Sequence, residues 1–503
     1  SLGDSGLPFV FFALPVVFIP PCRMWPTLSL RAKNIRIRHG GQLLLSPIKK
    51  LHIYLECLAY YMGMATVCRD IIYHDDKKDF SVFFDKGSHA DSSYCFPNRL
   101  EVVLALNTAI DYNPKDAKAN YYLGCLYYGA RQYDIARQHW LRSSKLYPSF
   151  PTVWRNLALE EFNKEHNCEQ AVTNMEKAFA LSMAPSAGEK WGKARLLMEL
   201  DQLYKCLGYD HQLRLTNLEE HPALITQRDD LLLEEITLLN LTGRYEEAMK
   251  KLDSHKFHPW EGGEGKVSNQ YQFSRVEFAK QALNSKDYDY AIQHLEGCLV
   301  YPHHLGEGKL YGALKNDFYY LLGCAYEGKE QQFKIENEEK LQSVHKAQNC
   351  FDKATLGSQE PTAAIYYNDT RPDKIFYQGL ALLKLGRTGE AHGCFYKLIN
   401  YGKSHIFDHI TMDYFAVSLP DLQIWKRNLD TNNRIHCLYM LALGYYGIGY
   451  KTRAEGYLQE AEKLDKNHLS IYNSRHLSPQ NCNMFTYRNN IHLFKAKFHF
   501  IFI

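Results

Sequence analysis

Small apolar residues recur along this 503-residue chain at intervals of about 34 residues. Gly124 is matched 34 residues later by Ala158, and Ala136 is matched 35 residues later by Ala171, which places one extra residue in the turn between two helices. A repeating unit of this size cannot bury its own apolar stripe and needs a neighbouring unit to do so. The period therefore predicts one long stack of units, whereas length alone would suggest about three domains.

The best-defined unit reads Asn120-Tyr-Tyr-Leu-Gly-Cys-Leu-Tyr127 and continues through Ala136, Trp140 and Pro148. This string resembles a tetratricopeptide repeat, in which small residues let two helices approach and large residues fill the gap to the next unit. The resemblance implies an all-α solenoid, a right-handed superhelix of about eight helix pairs. We expect units to start near residues 117, 151, 194, 229, 272, 316, 372 and 435.

A left-handed residue is expected just past the first helix of each pair, because it ends the helix and reverses the chain. Glycine occupies this place in four units, at Gly208, Gly243, Gly386 and Gly449.

The repeat pattern divides the chain into three parts. Residues 1–95 have no sustained period and stay unassigned, 96–470 form the repeat array, and 471–503 form an irregular tail. We expect both extensions to be poorly ordered. The apolar run Leu7–Ile19 is too short to span a bilayer and has no basic leader, so we expect a cytoplasmic protein without membrane contact.

Composition argues against several classes of function. The net charge is only +3, and the basic residues between Arg31 and Lys50 are interpreted as a solvated stretch, so no nucleic-acid partner is expected. The 13 cysteines include no Cys-x-x-Cys pair, and His405 and His409 lack an evident third ligand. We therefore expect no metal, no cofactor and no catalytic residues.

The first helices of a tetratricopeptide array line its inner groove, and aromatic side chains are common interface anchors because few rotors must be frozen. The partner-binding residues predicted for this groove are Tyr121, Tyr128, Arg155, Asn156, Phe162, Tyr320, Phe376, Tyr439 and Tyr446. The alternative for each aromatic ring is packing between units. Adaptors that grip chaperone carboxylates carry Lys and Asn where this chain has Tyr121 and Cys125, so we do not expect that ligand.

The tetrapeptide Gly-Glu-Gly-Lys occurs twice, at 263–266 and 306–309, each time after a second helix and a proline. One interpretation is a pair of ligand loops, and the other is a structural turn that lets the next helix pack. The side chains that would contact a ligand are Trp260, Glu264, Lys266, Glu307 and Lys309. Neither loop has the glycine spacing of a phosphate-binding loop.

Three strings carry a closer resemblance: 257–267, 301–310 and 413–421. They are similar to mostly bacterial multidomain proteins in which a mutarotase-like β-sandwich domain of unknown function precedes a tetratricopeptide array. The resemblance covers about residues 99–470 and implies no established catalytic residues in the array. Residues 1–95 do not read as such a sandwich.

Two hypotheses of function follow. The first is a non-enzymatic scaffold that binds a protein or peptide in its aromatic groove. The alternative is a carbohydrate-related protein whose Gly-Glu-Gly-Lys loops contact a sugar or the β-sandwich domain. The largest insertions into the repeats, at about 327–345 and 404–434, are expected to form loops on a binding face.

Overall fold

The structure is a computed structural model. It describes Pro97 and residues 101–184, 192–260, 262–309, 313–335, 337–363, 369–411, 424–426, 428–469 and 471–472. Of the predicted extensions, 1–95 and all of 471–503 except its first two residues lie outside the described residues. Within the described part, no helix is both long and apolar enough to cross a membrane.

The described residues form α-helices and no strands. The first nine helices are α1 (Glu101–Tyr112), α2 (Ala117–Gly129), α3 (Tyr133–Leu146), α4 (Pro151–Glu160), α5 (Cys168–Met183), α6 (Gly192–Cys206), α7 (His211–Glu219), α8 (Pro222–Ile225) and α9 (Asp229–Leu241). The others are α10 (Tyr245–Ser254), α11 (Lys266–Ser285), α12 (Tyr288–Gly297), α13 (Asn316–Gln332), α14 (Glu338–Ala354), α15 (Pro372–Lys384), α16 (Thr388–His405), α17 (Leu429–Gly447) and α18 (Lys451–Leu464).

These helices confirm the predicted all-α tetratricopeptide-type solenoid. Eight pairs form units 1 to 8: α2–α3, α4–α5, α6–α7, α9–α10, α11–α12, α13–α14, α15–α16 and α17–α18. The helix α1 precedes them and contacts α2. Units 5 and 8 begin at Lys266 and Leu429, six residues earlier than expected.

Glycines in the first helices let the paired second helix approach closely. A Cβ atom on Gly124 would lie 2.3 Å from the Trp140 ring, and one on Gly323 would lie 2.5 Å from the Phe351 ring. Because both rings are buried, the contact sets the distance between the two helices of a unit. The sequence pattern of a small residue in one helix and a large residue in its partner thus determines how closely the two helices of a unit pack.

Left-handed residues end the first helices, as predicted. Gly243 has a φ of 79° and Gly449 a φ of 88°. Three other units place a side chain in the same conformation: Arg131, His166 and Lys286, with φ between 56° and 61°. These three turns carry conformational strain, because a Cβ atom is unfavourable in the left-handed region.

Replacing Lys286 by glycine is therefore expected to stabilise the protein by about 0.5–1 kcal/mol. The lysine side chain is exposed, and the turn bonds, such as Asp287 N–H to the Ala282 carbonyl at 2.9 Å, use only main-chain atoms. The midpoint of urea unfolding measures the effect. Gln281→Gly, an exposed position inside the same helix, should destabilise, and a gain there as well would contradict the explanation from backbone strain.

Unit 2 contains a π-helical turn, Glu161–Glu165, at the end of α4. This turn holds the extra residue of the 35-residue step, because a π turn spans one residue more than an α turn. The prediction that the insertion lies between the helices is therefore wrong. The added residue lengthens the first helix and changes the direction of the side chains that follow α4.

The first of the two large insertions differs from the loop expected of it. Around 327–345 the added residues lengthen helices α13 and α14, which have 17 residues each, and only 333–337 separate them. The second insertion runs from the end of α16 to the start of α17, and its described residues between these helices are not helical. Among them, Ile424–Lys426 contact the π turn that follows α4 and the helix α6, far along the chain.

Candidate functional site: the inner face of units 2 to 5

Two segments from the C-terminal half of the chain dock against units 2 to 5. We call Ile424–Lys426 the insert anchor, and residues 465–469 with 471–472 the return segment. The insert anchor contacts the π turn that follows α4 and the helix α6, and the return segment contacts units 3, 4, 5 and 8. The surface predicted to bind a partner is thus partly covered by the chain itself.

Asn163, in the π turn, holds the main chain of the insert anchor at two points. Its Nδ2 donates a hydrogen bond of 2.8 Å to the Ile424 carbonyl, and its Oδ1 accepts one of 2.8 Å from the Lys426 N–H. One amide side chain therefore satisfies both the carbonyl of residue 424 and the N–H of residue 426. These two bonds involve only main-chain atoms of the insert anchor and none of its side chains.

Trp425, between these two residues, is the buried side chain of the anchor. It is 2% exposed and joins the hydrophobic core of units 2 to 5. The indole meets the Phe162 ring edge to face, with centroids 5.4 Å apart, and its Nε1–H donates to the Glu199 carbonyl at 2.8 Å. Both the apolar body and the polar edge of the indole are satisfied.

Charged pairs fix the helices that form this site. Arg155 makes a two-pronged ion pair with the buried Glu199 carboxylate, at 2.6 and 2.7 Å, which links α4 to α6. Arg137 pairs with both Glu160 and Glu161 where α4 passes into the π turn. Burial raises the pKa of Glu160 to about 7, although Arg137 acts in the opposite direction. These contacts hold Phe162 and Asn163 in position.

The return segment covers an ion network between units 3 and 4, centred on the fully buried Arg214. Arg214 donates to Asp201 at 2.6 and 3.0 Å, to Glu234 at 2.7 Å and to the Asn467 side-chain oxygen at 2.8 Å. Asn467 also donates to the Lys205 carbonyl at 3.1 Å. A residue more than 250 positions distant therefore completes the coordination of this guanidinium group.

The remaining residues of the return segment pack on units 4, 5 and 8. Tyr472 places its hydroxyl 3.3 Å from that of Tyr245 and packs against Phe273. His468 packs against Tyr439, and burial lowers its pKa to about 4. The imidazole is therefore neutral at pH 7 and can accept the Ile471 N–H bond, at 3.4 Å.

The predicted aromatic groove residues fall into two separate groups. Four of the rings are buried between helices, so the prediction that they face an open groove is wrong for Tyr121, Tyr320, Phe376 and Tyr439. Their first-helix positions also face the next unit, and packing between units accounts for them. The rings of Tyr128, Phe162 and Tyr446 are half-buried.

The structure brings one group of predicted residues to the insert anchor. Phe162 contacts Trp425 directly, and Arg155 holds Glu199. Asn156 is buried and accepts from Arg155 at 3.1 Å. Tyr128 lies beside Asn163, and burial raises the pKa of its hydroxyl while Lys164 and Asn163 oppose the shift. Tyr446, in unit 8, packs against Phe376 of unit 7, away from this site.

The two Gly-Glu-Gly-Lys loops lie against each other, and their contacts match the structural interpretation. The Glu307 carboxylate accepts from the N–H groups of Val267 and Ser268, at 3.3 and 2.9 Å, and so caps the N-terminus of α11. Gly306 lies against the Phe257 main chain with a φ of 71°. The second loop thus supports the helix that begins at the first loop.

Trp260 does not present an open face. It is half-buried and packs on the core of units 2 to 5, and a Cβ atom on Gly263 would lie 2.2 Å from its ring. Glu264 and Lys266 are half-buried, and Lys309 is exposed.

The histidines at the end of α16 make separate carboxylate contacts. His405 pairs with Asp408 at 2.6 Å and His409 with Asp430 at 2.9 Å. Among the residues that the structure describes, no group of three or more His, Cys, Asp or Glu side chains is arranged to hold a metal ion.

Sequence reasoning missed Asn163, Glu199 and Trp425. One signal was available, since Trp425 is one of only six tryptophans and lies inside an insertion. The contacts of the insert anchor with Asn163 and Glu199 span more than 220 residues, and the repeat period carries no information about such contacts.

No protein-family model matches the chain. Among solved structures, the chain is similar to that of Naa15/Naa10 bound to HypK-THB, at 12% identity over 86% of this chain and with a TM-score of 0.32. It spans 61% of that chain's length. It is also similar to the human IFIT1 dimer with m7Gppp-AAAA, at 13% identity, a TM-score of 0.22 and coverage of 81% and 94% of the two chains. For the P58(IPK) TPR domain the identity is 11%, the TM-score 0.18 and the coverage 75% and 93%. TM-scores this low support no inference about partners or activity.

Proposed function

We propose that this protein is a non-enzymatic helical-repeat scaffold that binds a short segment of a protein partner on the inner face of units 2 and 3. The observation that carries the proposal is the pair of hydrogen bonds that Asn163 makes with the Ile424 carbonyl and the Lys426 N–H. A side chain that satisfies main-chain groups at both ends of a three-residue segment is suited to peptide recognition, because those groups occur in peptides of any sequence without proline.

The surroundings of Asn163 support the same function. Phe162 offers an aromatic contact, and the buried Arg155–Glu199 pair keeps α4 and α6 at a fixed spacing. A preformed site loses little conformational entropy on binding, so that more of the contact energy appears as affinity. The proposal requires no cofactor or catalytic group, and a cytoplasmic location would suit it.

Selection from a peptide library tests the proposal. Peptides selected on the folded full-length chain should bind the Asn163→Ala variant about tenfold more weakly, because two hydrogen bonds to the main chain are lost. Asn107→Ala changes an exposed asparagine on α1 and serves as the matched control, which should bind normally. If the selected peptides bind both variants equally well, the inner face of unit 2 is not the peptide site.

The alternative is a carbohydrate-related function, with the Gly-Glu-Gly-Lys loops contacting a sugar or a mutarotase-like β-sandwich domain. Glu307 caps α11 and Trp260 packs on Gly263, so both have structural roles already. No contact described above favours the alternative over peptide binding. A glycan array probed with the full chain and with Glu264→Ala would support it only if binding occurs and depends on Glu264.

A further inference from the structure

We infer that the site around Phe162, Asn163 and Glu199 is specific for a short peptide with a central tryptophan, and that Ile424–Lys426 occupies this site as an internal ligand. A partner must therefore displace the chain's own segment. The inference rests on the proposed peptide-binding function and adds the chemistry of the partner and the way in which binding is regulated.

Some contacts of the insert anchor involve the main chain of any peptide, and others involve one particular side chain. Asn163 touches only main-chain atoms of residues 424 and 426, so these bonds place the peptide without selecting its sequence. The buried contacts belong to the Trp425 side chain. Phenylalanine would fill part of the volume but would lack the N–H that donates to the Glu199 carbonyl. Tryptophan is thus the residue that uses both parts of the site.

The neighbouring positions add two rules. The residue before tryptophan is half-buried at the edge of the core, as Ile424 is, which favours an aliphatic side chain. The residue after it is exposed, like Lys426, and its side chain is unrestricted. It must nevertheless carry an N–H for the Asn163 oxygen, and proline has none. The predicted ligand is an aliphatic–Trp–X peptide in which X is not proline.

Occupation from within the chain has a calculable effect on binding. A tethered segment is present at an effective concentration in the millimolar range, so it competes strongly with a free peptide of equal intrinsic affinity. The apparent dissociation constant equals the intrinsic one divided by the fraction of molecules in which the site is open. Removing the internal tryptophan should therefore strengthen binding of an external peptide by at least about tenfold.

The experiment uses a synthetic peptide with the sequence of residues 420–428 and measures its binding to the full-length chain by titration calorimetry. Trp425→Ala should bind the peptide at least about tenfold more tightly than the wild type does. A peptide with the tryptophan replaced by alanine, or with Lys426 replaced by proline, should bind at least about tenfold more weakly. Asn163→Ala added to Trp425→Ala should reduce binding of the original peptide, whereas Asn107→Ala should not.

A second variant is needed as a control because Trp425 is part of a core, so that Trp425→Ala could unfold the protein. Lys426→Pro in the chain removes one bond to Asn163 and leaves the core side chains unchanged, and it should also strengthen peptide binding. If wild type and both variants bind equally and all depend on Asn163, occupation from within is wrong, while the peptide site of the proposed function stands. If folded variants do not bind the peptide, the tryptophan specificity is wrong. Library peptides that still depend on Asn163 would then leave the proposed function intact.

Discussion

Replacing Arg214 by methionine is expected to lower the free energy of unfolding by about 3–5 kcal/mol. The guanidinium is fully buried and lies 2.6 Å from Asp201 and 2.7 Å from Glu234. Its loss leaves the Asp201 carboxylate buried without a cation and removes a hydrogen bond to Asn467 of the return segment. Urea unfolding followed by circular dichroism gives the change in midpoint.

Two control variants define this result. Arg387→Met breaks an ion pair with Glu390 that is exposed on both sides, and it should leave the midpoint unchanged. Asp201→Leu combined with Arg214→Met should recover much of the stability, because Lys205 still pairs with Glu234 at 2.9 Å. A single Arg214→Met variant as stable as the wild type would contradict a buried, unsolvated network.

Replacing Gly379 by alanine is expected to destabilise the protein by about 1–3 kcal/mol, although alanine is the better helix former. The added Cβ atom would lie 2.4 Å from the Phe395 ring, which is buried between α15 and α16. The two helices of unit 7 must separate or the ring must move. The melting temperature or the urea midpoint measures the loss.

Gly393 provides a matched control within the same unit. It lies inside α16, and nothing stands within 4 Å of an added Cβ atom, so Gly393→Ala should stabilise by about 0.5–1 kcal/mol. Phe395→Leu should remove most of the penalty of Gly379→Ala, which a double-mutant cycle would show as a coupling energy. Equal effects at both glycines would mean that backbone freedom, and not the ring contact, controls stability here.

The repeat units were predictable because their pattern is local. Gly124 and Trp140, or Gly243 in its left-handed turn, belong to one unit and recur with the period, so the sequence alone predicts their packing. In contrast, the sequence pattern does not predict whether an aromatic ring on a first helix is buried. Tyr121 and Tyr128 lie on the same helix, yet one is buried and the other half-buried, because the choice depends on the superhelix as a whole.

The candidate site could be predicted only in part. Arg155 and Phe162 were found because they lie on a repeat helix, but their partners Glu199 and Trp425 were not. The insertion that carries Trp425 breaks the period, and its docking position depends on how far the superhelix has turned by unit 7. The role of Glu307 was missed for a related reason, since it caps a helix that begins some 40 residues earlier.

The π turn Glu161–Glu165 has a consequence for comparing or engineering such repeats. Each helical residue advances the side-chain direction by about 100°, so deleting one residue there would rotate Phe162 and Asn163 away from the insert anchor. A consensus design that trims every unit to 34 residues would therefore keep unit 2 well packed but lose its bonds to Ile424 and Lys426. The position of the insert anchor in this protein thus depends on a single residue of excess length.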